Sequence, residues 1–447
     1  MANPAIPSRI IRRMNSEDPG FAKEFDQLLQ WQTAESSVEQ PVAEIIRMVR
    51  QEGDAALIRL TAQHDRITLT PEKLAFSATE IEDACRLLPA EDWQALQVAA
   101  DRIRAYHLWQ MPSMGVHRYQ DASGLLLGQR LDPLQRVGLY VPGGLASYPS
   151  SVLMNAIPAQ VAGVAELIMV VPTPDGRLNP LVLAAARVAG VHKIYRVGGA
   201  QAIAALAYGT LSIPRVDKIV GPGNRWVATA KRQVFGQVGI DMIAGPSEIL
   251  LIADRESNPE WLAADLLSQA EHDESAQSIL LTDSPALADA VTEQLERLLQ
   301  QLSRRDVSRV ALANRGAIVI VPTLERACEL ANLVAPEHLE LCLADPEACL
   351  PRIRHAGAIF LGRHTPEAIG DYVAGPNHVL PTGGTARFSS PLGVHDFIKR
   401  SSLLGGGNGE GARDALRLLG PIASRLAERE GLTAHQYSID VRLESKT

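Results

Sequence analysis

Four short clusters carry side chains that could bind a cation or move protons. Gln269 and His272 lie three residues apart, so on a helix they share one face. An amide oxygen and a neutral imidazole aimed at one point could hold a divalent cation; a polar helix end in solvent has the same spacing. Glu337 and His338 are adjacent in Ala335-Pro-Glu-His-Leu-Glu340, and both are competent for proton transfer. The preceding proline suggests a loop entering a helix. In Gly370-Asp-Tyr-Val-Ala-Gly-Pro-Asn-His378, Asp371 offers an anionic ligand, while Asn377 and His378 sit in a turn-rich loop of the kind where functional groups gather. Side-chain hydrogen bonds that merely fix the loop would use the same residues. Last, Glu430 is expected to end a tail helix, with His435 just beyond it; an ordinary surface helix terminus reads the same way.

The elements that must carry these groups are legible from the pattern. The apolar run Ile249–Ala253 reads as a buried strand. Ser257-Asn-Pro-Glu260 then starts a helix, with a capping side chain, a first-turn proline and an early acid, and Leu262, Leu266 and Ala270 form its buried stripe. Residues 1–113 read as mostly helical, with a stripe at Val42, Ile45, Ile46 and Val49. From Arg136, strands at 167–171, 193–197 and 218–220 alternate with helices at 151–162, 180–189, 200–208 and 225–235. A second series has strands at 278–282, 317–321 and 358–361 and helices at 285–303 and 324–333. Such alternation implies mainly parallel sheets covered on both faces. In the tail, a helix over 412–430 with Leu416, Leu419, Ile422 and Leu426 on its apolar face precedes a strand over 438–443.

Glycine turns at Gly143-Gly144, Gly198-Gly199 and Gly221-Pro-Gly-Asn224 follow strands and suit an anionic ligand such as a pyrophosphate. The dinucleotide fingerprint is incomplete, because Gly221-Pro-Gly-Asn-Arg-Trp226 lacks its third glycine. The glycine-dense run 405–411 follows no expected strand and reads as a flexible loop.

Composition bounds the function. With 447 residues, 46% hydrophobic and 21% charged, the chain is an ordinary globular one of several compact units. A formal charge of −8 without a long basic run argues against a nucleic-acid partner. No signal-peptide core follows Met1, and the most apolar stretch, 152–172, is broken by polar residues and proline, so neither export nor a membrane span is expected and a cytoplasmic location is. Cys85, Cys328, Cys342 and Cys349 form no CxxC pair and read as free thiols; none has the setting of a catalytic thiolate. His64, His107 and His117 are isolated and read as surface or packing residues.

The stretch 240–272, followed by the three later clusters in residue type and order, resembles the signature of the histidinol dehydrogenase family, and the resemblance covers nearly the whole chain. It implies an α/β fold of two Rossmann-like domains with a helical N-terminal arm (1–30), a larger discontinuous domain (31–135 and 247–390), an inserted smaller domain (136–246) that contacts NAD, and a C-terminal extension (391–447) reaching the other subunit of a homodimer. It implies Gln269, His272, Asp371 and His435 as ligands of one zinc ion per subunit, and Tyr140, Gln201 and Asn224 as NAD contacts. Ser247, Gln269, His272, His338, Asp371, His378, Glu430 and His435 match substrate-binding positions, and Glu337 and His338 the catalytic pair. The implied reaction is the oxidation of L-histidinol through the aldehyde to L-histidine at the expense of two NAD+. Rival readings are a related NAD-dependent dehydrogenase of another amino or sulfonated alcohol, a cysteine-dependent aldehyde dehydrogenase, and a metal- or nucleotide-binding scaffold.

Overall fold

The structure is a computed structural model that describes residues 10–30, 38–143, 148–243, 245–405 and 410–444. Residues 1–9 of the N-terminal arm, Gly144, Ala244 and most of the glycine run at 405–411 lie outside the described residues. The chain divides into two compact units, Met1–Gln110 with Gln135–Asp396, and Met111–Leu134 with Phe397–Thr447.

The first unit holds two parallel sheets. The larger runs in the order Arg12–Asn15, Ala317–Ile320, Gln277–Thr282, Glu248–Ala253, His338–Cys342, Ala358–Leu361. Its central strand, Glu-Ile-Leu-Leu-Ile-Ala, is buried at every position, as a strand covered on both faces must be. Alternation sends Ile249, Leu251 and Ala253 into one core with the helices Pro259–Ala270 and Pro285–Leu299. Leu250 and Ile252 point the other way, to the helices Phe21–Leu29 and Leu324–Val334. The capping reading holds for Asn258, whose side chain accepts from Glu260 and Trp261 N–H with Pro259 in the first turn.

The smaller sheet runs in the order Lys193–Tyr195, Glu166–Val170, Arg136–Tyr140, Lys218–Val220, Gly239–Ile240, all parallel. Counted along the chain this is 3-2-1-4-5, so the winding reverses between Arg136–Tyr140 and Lys218–Val220. There Gly221 (φ 115°) runs so close to Tyr140 that a Cβ would sit 2.1 Å from the tyrosine's carbonyl oxygen. The loop is fastened from behind: Lys231 Nζ donates to Gly221 O (3.0 Å) and pairs with Asp241, whose other oxygen accepts from Gly221 N–H (2.8 Å).

Several expectations are corrected. The N-terminal arm is not simply helical, since Arg12–Asn15 is the edge strand of the larger sheet. Val42, Ile46, Leu57 and Leu60, in the helices Glu39–Glu52 and Asp54–Asp65, pack in the core of the smaller sheet, and residues 111–134 group with the tail rather than with the larger domain. Pro336 leads into a strand, not a helix: the preceding helix stops at Ala335 (φ 50°), and His338–Cys342 is claimed by neighbours on both sides. The tail strand expected over 438–443 is a helix, Thr433–Glu444. The alternation in Ser-Ile-Asp-Val-Arg-Leu imitates a strand, but Ile439 and Leu443 are also one helical turn apart and both face Gly420 of Glu410–Arg429.

In the second unit, Ile398–Gly405, Leu126–Pro133 and Gly115–Gln120 form an antiparallel sheet in that order. The tail helix buries small residues, Ala415, Gly420, Ser424 and Ala427, while Leu419, Ile422 and Leu426 of the expected apolar face remain exposed. Among the described residues no helix is long and apolar enough to cross a membrane. All four cysteines are free; Cys328, Cys342 and Cys349 are buried and Cys85 half-buried.

Candidate active site

The buried acid and imidazole groups collect at the amino-terminal edge of the larger sheet. Glu248 and His338 open adjacent strands, and Glu337 directly precedes the second. Gln269 occupies the last turn of Pro259–Ala270, which runs back to that edge, and His272 follows it. After the strand Ala358–Leu361 the chain returns in a short helix, Glu367–Ile369, which widens into a five-residue turn, Gly370–Ala374. Wide turns of this kind recur at functional sites. Gly370 admits this path, because a Cβ there would lie 2.5 Å from the Phe360 ring.

His338 is the centre. Its Nδ1 lies 3.1 Å from the Glu248 carbonyl oxygen, with Glu337 Oε2 and Glu367 Oε1 each at 3.7 Å. Its Nε2 is buried without a hydrogen bond, the Asp371 carboxylate standing 3.6 Å away. Burial opposes a charge on this ring, but Glu367, Glu337 and Asp371 outweigh it and hold the imidazole well above its usual range. Burial pushes Glu337 up to about 8, only partly offset by His338 and by the Glu248 N–H it accepts at 2.9 Å. Burial likewise pushes Glu367 up to about 7. Asp371 moves the other way: burial raises it, and the nearby His338 imidazole more than cancels that. Burial lowers both His272 and His378, keeping their rings neutral.

His378, Asn377, Ser247 and Gln269 are each held by hydrogen bonds of their own. His378 Nδ1 lies 2.9 Å from Asp371 O, and its Nε2 3.4 Å from Ser151 Oγ on the helix Pro149–Val161. Asn377 fixes the loop by donating to Met154 O at 2.6 Å, and Ser247 O, one residue before Glu248, accepts from Gln277 N–H at 2.9 Å. With its carboxamide set to satisfy both ends, Gln269 donates to Glu367 Oε1 (2.5 Å) and Oε2 (3.0 Å) and accepts from Glu248 N–H (3.3 Å). Glu430 and His435 lie in the second unit, both exposed, Glu430 just after the helix Glu410–Arg429 and His435 inside the helix Thr433–Glu444.

The donors suit a divalent cation. Ligand atoms of His338, Glu367 and Asp371 lie within 4.8 Å of one another, all are nitrogen or oxygen, and a buried imidazole nitrogen has no hydrogen bond. A cation would also relieve the crowding of buried carboxylates. This trio differs from the ligand set the resemblance implies, sharing only Asp371 with it. Glu367 was not singled out from sequence, though a signal exists: Pro366-Glu367 starts a helical turn, and Glu367 and Asp371 are four apart, hence on one face.

The residues expected to contact NAD lie at the carboxyl-terminal edge of the smaller sheet, around its point of reversed winding, which is where α/β sheets accept ligands. Tyr140 ends the first strand and its hydroxyl accepts from Gly199 N–H at 3.2 Å. Burial pushes this phenol up to about 12, so it stays neutral. Gln201 sits in the first turn of Gly199–Tyr208, its amide oxygen 2.8 Å from where a Cβ on Gly199 would stand. Asn224 caps the helix Arg225–Val234, its side-chain oxygen accepting from Trp226 N–H (3.0 Å) and Val227 N–H (3.3 Å).

Comparison with known proteins gives a consistent result. A family model described as histidinol dehydrogenase matches residues 29–443. The chain is similar to histidinol dehydrogenase of Pseudomonas aeruginosa, 56% identical over 442 residues and 97% of each chain. It is similar to that of Cereibacter sphaeroides, 58% identical over 432 residues, 96% of this chain and 98% of the relative. The crystal structure of histidinol dehydrogenase from Elizabethkingia anophelis superposes with a TM-score of 0.90 at 36% identity, covering 98% of this chain and 99% of that one.

Proposed function

The chain belongs to the histidinol dehydrogenase family, and from that premise we propose that it oxidises L-histidinol, through the aldehyde, to L-histidine, with NAD+ as oxidant and one zinc ion per subunit. The observation that carries this reading is the buried Glu337–His338 pair beside Gln269, His272 and Asp371 at one sheet edge.

When bound, NAD+ accepts the hydrides and zinc anchors the imidazole and amine of the substrate. Gln269, His272 and Asp371 would hold the ion, together with His435 supplied from the tail of a partner subunit. In the first oxidation the alcohol must lose a proton as the hydride departs. His338 takes that proton in its neutral form, which the neighbouring carboxylates disfavour and which a cation held by Asp371 would restore by offsetting that charge. Its Nδ1 faces a carbonyl oxygen, which can only accept, so in the neutral ring Nδ1 keeps the hydrogen and Nε2 is the basic atom. The aldehyde must then gain water before a second hydride can leave. Glu337, raised towards neutrality by burial, activates that water and passes protons to His338. Tight positioning of the substrate lowers the entropic barrier of both steps and keeps the reactive aldehyde from escaping.

Ser247 and His378 position the substrate beside the pair. Glu430 and His435 serve the partner's site in a homodimer; their exposure, with that of Leu419, Ile422 and Leu426 on the neighbouring helix, supports a tail that docks on another subunit. The direct test is NADH formation from histidinol, with and without a zinc chelator. Formation that chelation abolishes and zinc restores is expected. No turnover of histidinol by zinc-loaded protein would overturn the substrate; turnover insensitive to chelation would overturn the metal.

A further inference from the structure

Resting on the zinc reading above, we propose that Glu367 is a positioning residue that selects which end of the Gln269 carboxamide faces the ion. A glutamine is an ambiguous ligand. Its oxygen can bind a cation and its NH2 group cannot, yet the two ends are nearly equal in size, and a half-turn of one bond exchanges them. Something outside the residue has to break that symmetry. Glu367 does so by chemistry alone, because a carboxylate accepts and the NH2 end donates. One carboxamide end lies 2.5 and 3.0 Å from the two Glu367 oxygens, and with that end set as the NH2 group, the setting that lets donor meet acceptor, the amide oxygen falls on the opposite side, where the Glu248 N–H stands at 3.3 Å.

Glu367 is itself held fast. It is 2% exposed, and its own N–H donates to Glu340 Oε1 at 2.7 Å. It precedes Asp371 by one helical turn, so the group that aims one ligand is rigidly tied to another. Outer groups of this kind orient metal ligands and govern affinity nearly as strongly as the ligands do. Glu367 also stands within reach of a cation shared by His338 and Asp371. Both its oxygens are engaged by the amide, which favours orientation over direct ligation.

The test reads zinc affinity by chelator competition and metal content, on the full-length protein, rather than turnover. Glu367→Ala is expected to weaken zinc by about 10- to 100-fold. Glu367→Gln, which keeps the side-chain volume and one acceptor, is expected to fall between it and the parent. Thermal unfolding of the zinc-free proteins checks that all variants fold. The deciding measurement is the double-variant cycle: in a Gln269→Ala background, Glu367→Ala should cost no further affinity, because the ligand it orients is gone. Additive losses would make Glu367 a ligand in its own right and overturn the proposal, as would parental affinity in Glu367→Ala. A parent chain that binds no zinc would instead sink the metal reading on which it rests.

Discussion

The Nδ1 atom of His338 lies 3.1 Å from the main-chain oxygen of Glu248, the residue that opens the neighbouring strand. Parallel pairing thereby fixes a tautomer: the sheet register that brings His338 opposite Ile249 also brings this carbonyl to the ring nitrogen. The bare nitrogen, Nε2, is turned towards Asp371. His338→Asn keeps a polar group but no base at that position. Alcohol oxidation is expected to fall about 100-fold or more, as loss of a general base does. Stopped-flow measurement of the first hydride transfer checks it; a loss below about tenfold would remove His338 from the role.

Glu337→Gln keeps the size of the side chain and an oxygen to accept the Glu248 N–H, but cannot take a proton from water. Oxidation of supplied histidinal is therefore expected to suffer more than oxidation of histidinol. The two half-reactions are measured separately. Equal, small losses in both would end the proposed division between the two residues.

The reach of the sequence differed from residue to residue. Ile249–Ala253 and its helix were readable because burial on both faces writes a continuous apolar run, and a capping Asn-Pro pair marks the following start. His338–Cys342 was not, because its first and third residues are polar and become buried only through partners about 90 positions upstream and 20 downstream. Glu367 reads locally as an ordinary acid near a helix start; its bond to Gln269 crosses nearly a hundred residues and leaves no local trace. In the tail, alternating side chains fitted two periodicities, and packing against Gly420 decided for the helix.

Lys231 and Asp241 are almost wholly buried and share the Gly221 peptide between them. Lys231→Met leaves a buried carboxylate without its counter-ion, which typically costs about 3–5 kcal/mol of stability. The loop that presents Asn224 loses its tether in the same change. The expected result is a lower unfolding midpoint and, in the protein that stays folded, a raised KM for NAD+ with little change in the KM for histidinol. An unaltered KM for NAD+ would limit the pair to stability.

Shared sites can be tested by mixing two inactive chains. Co-refolded His435→Ala and Glu337→Gln proteins should recover activity, since one site in each heterodimer would receive both intact groups. A mixture as inactive as its parents, in verified heterodimers, would mean that His435 serves its own chain or none.

The larger sheet also reverses its winding, between Glu248–Ala253 and His338–Cys342, yet its carboxyl-terminal crevice is stitched closed. Asp254 accepts from Ala344 N–H at 2.8 Å and binds Arg363, and Ser257 Oγ donates to Cys342 O at 2.6 Å across the same gap. On the proposed reading, that leaves the smaller sheet as a solitary berth for a carrier that must be spent twice per turnover. The first spent carrier has to depart and a fresh one dock while the half-oxidised guest waits in place, so the residence time of that guest, rather than the speed of either transfer, sets how faithfully the two oxidations stay joined.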